Sequence, residues 1–198
     1  MPSRSAAGSP TIADPELGDE ERRTLLRLAR RALQTTLDEQ PEPPPEMAAL
    51  PAALRRPGRA FVTLRLDDAL RGCLGHLASG HPLADVVWRM TLLAATEDPR
   101  FPPVAREELP RLRIEISVLS EPERLSLVDP ACIVPGRDGV MVRRGRRQGL
   151  LLPQVATEQQ WNAEALLAAV CRKAGLPDGA WRGPDCELYV FQADVFGE

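Results

Sequence analysis

Cys73 stands in the stretch Ala69-Leu-Arg-Gly-Cys-Leu-Gly-His-Leu77, with Arg71 two residues before it and Gly72 and Gly75 around it. A thiol acts as nucleophile, ligand or redox centre through its thiolate, and a neighbouring cation favours that form. Glycines on both sides let the backbone approach another element closely and leave the sulfur uncrowded. On an extended strand Arg71, Cys73 and Gly75 share one face, and Gly72, Leu74 and His76 share the other. Arg71 is therefore placed to lower the pKa of the thiol, and His76 is not unless the glycines bulge the strand. The same residues also suit a plainer part, a small side chain buried where two strands cross, with the glycines serving the turn.

Other residues could complete such a site. Asp98-Pro-Arg-Phe101 closes a helical segment. Pro99 would stop that helix and Asp98 cap the turn, while Arg100 could reach the Cys73 strand as an anion-binding group. Glu115 alternates with Ile114 and Ile116, so it faces away from their apolar stripe, either as a solvated carboxylate or as a general base or cation ligand in a cleft. Lys173 is the one lysine among 25 basic residues. It offers a compact charge with a shiftable pKa, or simply a cation at a helix C-terminus before Gly175. The binding candidates are thus Gly72, Gly75, Asp98, Arg100 and Lys173, around a catalytic set of Cys73, Arg71 and Glu115.

These residues need elements to hold them. Leu25, Leu28, Ala29, Ala32 and Leu33 repeat at helical spacing after acidic Glu20 and Glu21. The helix must end before Pro41-Glu-Pro-Pro-Pro45, a stiff linker, and a short apolar segment runs from Met47 to Leu54. Val62, Leu64 and Leu66 then alternate as a strand, Asp67-Asp68 turns, and Leu70 to Leu77 returns, which places Cys73 on a hairpin. Pro82 opens a helix with the apolar face Leu83, Val86, Val87, Met90 and Ala94. Leu112, Ile114, Ile116 and Val118 mark a strand, residues 138–152 a hairpin with Arg143-Arg-Gly-Arg-Arg147 at its tip, 162–174 a helix, and Leu188 to Phe196 a final strand. Trp161 and Trp181 read as core. This mixed order with hairpins predicts an α+β fold with mostly antiparallel pairing and flanking helices.

A chain of 198 residues with 43% hydrophobic content can bury the core of one domain, or of one domain with two lobes. A formal charge of −3 disfavours general nucleic-acid binding. The arginine cluster at 143–147 has the charge of a phosphate or nucleic-acid patch, but like charges seek water and no aromatic residues are interleaved for base stacking, so it reads as a solvated tip, with RNA binding as a lesser alternative. Cys73, Cys132, Cys171 and Cys186 form no Cys-x-x-Cys pair. Cys73, His76 and His81 lack a fourth ligand in sequence, so no metal and no cofactor is expected. Met1 to Pro15 carries no apolar block and no run reaches a membrane span. The expectation is a cytoplasmic protein with reduced thiols, a disordered tail over residues 1–17 and one domain over 18–198.

The ordered motifs resemble one family. Arg71-Gly-Cys-Leu-Gly75 is followed by Pro82-Leu83, Asp98-Pro-Arg-Phe-Pro-Pro103, Glu108-Leu109 and Ile114-Glu-Ile-Ser-Val-Leu-Ser-Glu-Pro-Glu123. Gly136-Arg-Asp-Gly-Val140, Gly149-Leu-Leu-Leu-Pro-Gln-Val-Ala156 and Cys171-Arg-Lys-Ala-Gly-Leu176 complete the series. It resembles the AMMECR domain family, in particular its prokaryotic branch called AmmeMemoRadiSam system protein A, found in bacteria and archaea. The resemblance implies a barrel-like sheet built from two β/α halves, and the motif around Cys73 as functional centre. It also implies a Memo-like protein and a radical-SAM protein as partners. His76 falls where the family varies and inherits no role. Two functions follow as expectations: an enzyme or enzyme subunit acting on a small molecule or peptide at the Cys73 hairpin, or a non-catalytic adaptor for those partners.

Overall fold

The structure, a computed structural model, describes residues 17–37, 42–44, 46–78, 80–125 and 129–198. The expected tail up to residue 16 lies outside the described residues, as do Pro41 and Pro45 of the linker. The chain divides into two compact units: the described residues up to Leu119 together with Asp194–Glu198, and Ser120–Ala193.

In the first unit α1 (Asp19–Thr35) opens with Asp19, Glu20 and Glu21 in its first turn and buries Leu25, Leu28, Ala29, Ala32 and Leu33. The Met47–Leu54 segment is a 3-10 turn, Met47–Ala49, and the short helix α2 (Ala52–Arg55). Strands β1 (Arg59–Leu66) and β2 (Ala69–His76) form the expected hairpin, followed by α3 (Leu83–Thr96) and β3 (Leu112–Leu119). With β8 (Ala193–Gly197) they give a sheet of order β2-β1-β3-β8, in which β1 pairs antiparallel with both neighbours. Val62, Leu64, Ile114 and Ile116 are at most 1% exposed on the face that meets α1 and α3. Burial on that scale stabilises by about 1.5–3 kcal/mol per side chain.

The second unit holds β4 (Glu123–Arg124), the hairpin β5 (Gly139–Arg144) and β6 (Arg147–Leu151), α4 (Pro153–Glu158), α5 (Ala163–Lys173) and β7 (Glu187–Phe191). Its sheet has the order β4-β7-β5-β6, with antiparallel pairing throughout. Val140, Val142, Leu166, Leu167, Val170 and buried Trp181 make its core, and half-buried Trp161 packs against it.

The α+β class and the flanking helices are as expected. Instead of one barrel-like sheet there are two open four-stranded sheets, each carrying its own helices. The reason lies in the last strand, which is not continuous from Leu188 to Phe196. The backbone N–H of Gln192 donates to Ser120 Oγ (2.9 Å) and its carbonyl accepts from Ser120 N–H (3.0 Å), so both its backbone groups leave the ladder. β7 ends there in one sheet and β8 begins in the other.

One contact in the first unit allows α3 to lie against the edge strand. A Cβ built on Gly72 would sit 2.2 Å from the Ala94 carbonyl oxygen of α3, a backbone atom that cannot swing away. Gly80 has nothing within 4 Å of such a Cβ. Gly72→Ala is expected to lower the unfolding free energy by about 3 kcal/mol, the upper range for overpacking. Gly80→Ala should stay within about 0.5 kcal/mol of wild type. Urea unfolding of the two variants checks this, and equal stabilities would contradict the contact.

Candidate functional site

The β1–β2 hairpin turns at Asp67 and Asp68, both left-handed with φ of 49° and 67°. Positive φ at both central residues is the pattern of a type I′ turn, whose twist suits a two-residue hairpin. The ladder begins regularly with Leu66 opposite Ala69 and Arg65 opposite Leu70, and then shifts. Leu64 pairs with Gly72 and Thr63 with Cys73, so Arg71 is an extra residue in β2. A regular continuation would have set Cys73 opposite Val62, on the core face. A one-residue shift sends every later side chain to the other face. The bulge therefore directs Gly72 and Leu74 to the core side and Cys73 to the outer side.

On that outer face three residues stand in one row. Thr63 pairs with Cys73 on one side and with Glu115 of β3 on the other. The Thr63 hydroxyl donates to Cys73 Sγ at 3.3 Å. Thr63 is buried between the half-buried Cys73 and Glu115. In the next row Phe61 covers Gly75, where an added Cβ would meet the ring at 2.2 Å. The two glycines thus have separate packing reasons, one against α3 and one under an aromatic ring.

β2 is an edge strand, and the segment after α3 covers its open side. Asp98 Oδ2 accepts the Cys73 N–H at 2.8 Å, and Arg100 Nη2 donates to the Cys73 carbonyl at 3.2 Å. The two side chains thereby occupy the places a neighbouring strand would fill. They are joined to each other, Arg100 Nη2 to Asp98 Oδ2 at 2.7 Å and Nε to Oδ1 at 2.9 Å. Arg100 also lies within interaction range of the Cys73 thiol. The hydrogen-bonded Arg100 guanidinium, helped by the N–H groups of Cys73 and Arg100, holds the Asp98 carboxyl well below the usual carboxylate range against the opposing effect of burial.

Arg71 fastens the same segment farther along. Its Nε and Nη2 reach the two Glu108 carboxylate oxygens at 2.7 and 2.9 Å, and it donates to the carbonyls of Pro102 (2.8 Å) and Pro103 (3.1 Å). Glu108, its carboxyl held low first by Arg71, also accepts the Ala105 N–H at 2.7 Å. The expectation that Arg71 serves the thiol is thus corrected. As the bulge residue it leaves the simple alternation and grips the covering segment, and Arg100 is the cation hydrogen-bonded at Cys73.

The structure brings Cys73, Gly72, Gly75, Asp98, Arg100, Arg71 and Glu115 together in the first unit, whereas Lys173 ends α5 in the second. His76 pairs with Ala60, and its ring lies 5.8 Å from that of His81. Among the described residues no group of three or more potential ligands could hold a metal. Sequence reasoning missed Thr63 and Glu108. A regular hairpin register would have pointed to Thr63, but opposite Gly72, and Glu108 carried no signal beyond its motif.

A group whose folded-state pKa is depressed contributes stability in full above its unfolded value, about 3.9 for Asp, and loses it as pH falls below that. Asp98→Asn is expected to destabilise by about 2 kcal/mol at pH 7, the scale of hydrogen bonds to a charged group, since half-exposed Arg100 is screened by solvent. The variant should also lose stability less steeply than wild type below about pH 4. Urea unfolding between pH 3 and 7 tests both effects, and parallel curves would refute the role given to Asp98.

Three comparisons bear on this arrangement. The AMMECR1 family model matches residues 26–196. A protein of Methanothermobacter thermautotrophicus is 43% identical over 188 residues, covering 92% of this chain and 96% of its own. Protein MK0488 of Methanopyrus kandleri is 42% identical over 190 residues, covering 90% of this chain and 89% of its own. The crystal structure of the uncharacterized protein PH0010 from Pyrococcus horikoshii is similar with a TM-score of 0.86 at 40% identity, over 92% of this chain and 93% of that one. These three organisms are archaea. The chain belongs to the AMMECR1 family.

Proposed function

We propose that this protein is the AMMECR component of an AmmeMemoRadiSam system, an enzyme or enzyme subunit that acts on a small molecule or peptide through Cys73. Its partners in this reading are a Memo-like protein and a radical-SAM protein, and it works in the cytoplasm with reduced thiols. Among the described residues no helix is long and apolar enough to cross a membrane.

The observation that carries the reading is the bulge that turns Cys73 out of the core, combined with a backbone held at both N–H and C=O by Asp98 and Arg100. A cysteine needed only for packing would serve equally well on the core face. Here the sulfur is positioned by Thr63, and the Glu115 carboxylate stands in the same row on the far side of Thr63. Adjacent strands are about 4.8 Å apart, so the backbones of Cys73 and Glu115 are separated by about 10 Å. That span suits a thiolate at one end of a substrate group and a proton acceptor at the other.

One observation favours the adaptor reading instead. Arg71 and Arg100 each have a carboxylate within 2.7 Å, so neither guanidinium is left unpaired for an acidic substrate. In that case Cys73→Ser would bind the partners as well as wild type does.

The rate of alkylation, read by peptide mass spectrometry, separates the two. Burial pushes the Cys171 and Cys186 thiols up, which makes them internal controls. We expect Cys73 to react at least tenfold faster than either in the native protein. Reaction no faster than the controls, or only on unfolding, would leave the adaptor reading.

A further inference from the structure

The β5–β6 hairpin breaks a local rule. Its turn is Gly145-Arg146, with Gly145 at φ +59° and Arg146 not left-handed, the combination a type II′ turn uses. The last pair of the ladder is Arg144 opposite Arg147. Like charges directly opposite across a ladder destabilise it, and Arg146 adds a third guanidinium between them in sequence. Where a local rule is broken without compensation inside the fold, a functional reason is expected.

Compensation inside the fold is partial. Arg143, the fourth arginine, is neutralised by Glu187 at 2.6 Å and lies over the Tyr189 ring. Among the described residues Arg144 has as its carboxylate partner Asp185 at 3.6 Å, with 75% of that side chain exposed. Arg147 donates to the carbonyl of Gly175 at 2.8 Å, which fixes its direction without cancelling its charge. Among the described residues Arg146 pairs with no carboxylate. Three guanidiniums against one loosely held carboxylate leave an excess of about two positive charges, matching a phosphate monoester near pH 7.

The same three arginines line an open concavity of about 510 Å³ whose remaining walls are Leu176 and Pro177. That size lies within the range of small-molecule sites. Its two sides are rigidly related. A Cβ on Gly149 of β6 would lie 2.7 Å from the Ala174 nitrogen at the end of α5, so strand and helix end are in direct contact. α5 closes with Gly175 at φ +69°, Gly175 N–H bonded to Arg172 O and Leu176 N–H to Cys171 O, both at 2.9 Å. This is the Schellman pattern, and it sets Leu176 and Pro177 in place.

We propose that this concavity binds a small phosphorylated molecule. Arg144, Arg146 and Arg147 donate to the phosphate oxygens in the forked geometry that guanidinium offers, and Leu176 and Pro177 receive the organic part. The arginine tip spans four residues and the chain as a whole carries a charge of −3, which suits one or two phosphate groups better than an extended polyanion.

Phenyl phosphate is the probe, titrated calorimetrically into the full chain at 150 mM salt, with inorganic phosphate and a twenty-nucleotide uridine RNA as separate arms. We expect saturable 1:1 binding of phenyl phosphate, at least fivefold tighter than inorganic phosphate. It should weaken at least tenfold in both Arg146→Gln and Arg147→Gln. Arg146 is an exposed turn residue, so Arg146→Gln should keep the wild-type thermal midpoint and reads binding independently of folding. Absence of saturable phenyl phosphate binding, or binding unchanged in both variants, would overturn the proposal. Tighter binding of the RNA than of phenyl phosphate, lost in the same variants, would also overturn it and make the tip a nucleic-acid surface.

Discussion

The position of Cys73 depends on one extra residue in an edge strand. Without Arg71 as a bulge, the type I′ hairpin would deliver Cys73 to the core face opposite Val62 and Gly72 to the outer face. With it, Gly72 meets the Ala94 carbonyl of α3 and Cys73 faces out beside Thr63. The bulge is held from outside the hairpin. Arg71 is bonded to Glu108, Pro102 and Pro103, and Cys73 is bonded at both backbone groups to Asp98 and Arg100. The close approach at Gly72 lets α3 end where the chain can turn back over β2 through Asp98. Close approach, bulge and covering segment are one arrangement.

The charges within this arrangement are matched pairwise, and the differences in burial decide what each pair contributes. Asp98 is almost fully buried and Arg100 half-exposed, so the ion pair is anchored on the carboxylate side and open to water on the other. The Arg71–Glu108 pair is more enclosed, with side chains 12% and 20% exposed. A buried pair of this kind is weak as a source of stability, because desolvation offsets much of the attraction, but breaking it is costly. Its consequence here is positional: it fixes which residue of β2 is displaced from the ladder. The arginines of the β5–β6 tip form the contrast, since among the described residues Arg143 alone has a carboxylate within 3 Å.

Much of the frame was legible in the sequence. Leu25 to Leu33, Leu83 to Ala94 and Ile114 to Val118 have periodicities that fix both element type and buried face, and each is buried as its spacing requires. The Asp67-Asp68 turn and the β5–β6 hairpin followed from turn chemistry and alternation. What the sequence did not reveal depends on pairing rather than on period. A bulge leaves the composition of a strand unchanged, so the alternation argument put Arg71 and Cys73 on one face and assigned the arginine to the thiol. The break at Gln192 is likewise invisible in an apolar run, because it arises from two hydrogen bonds to Ser120, 72 residues away. The motif series drew attention to the segment around Cys73, and the ladder register shows which side chains share its face.

The most direct test of this account is the register of the hairpin in solution. Because the Cys73 N–H and C=O are engaged by Asp98 and Arg100, Thr63 and Cys73 form a non-hydrogen-bonded antiparallel pair, whose Cα atoms lie about 4.5 Å apart with their α-protons facing. A nuclear Overhauser spectrum of the labelled protein should show a strong α-proton contact between Thr63 and Cys73. An α-proton contact between Thr63 and Gly72 in its place would mean that the strand pairs without the bulge, that the thiol faces the core, and that the outer row does not exist.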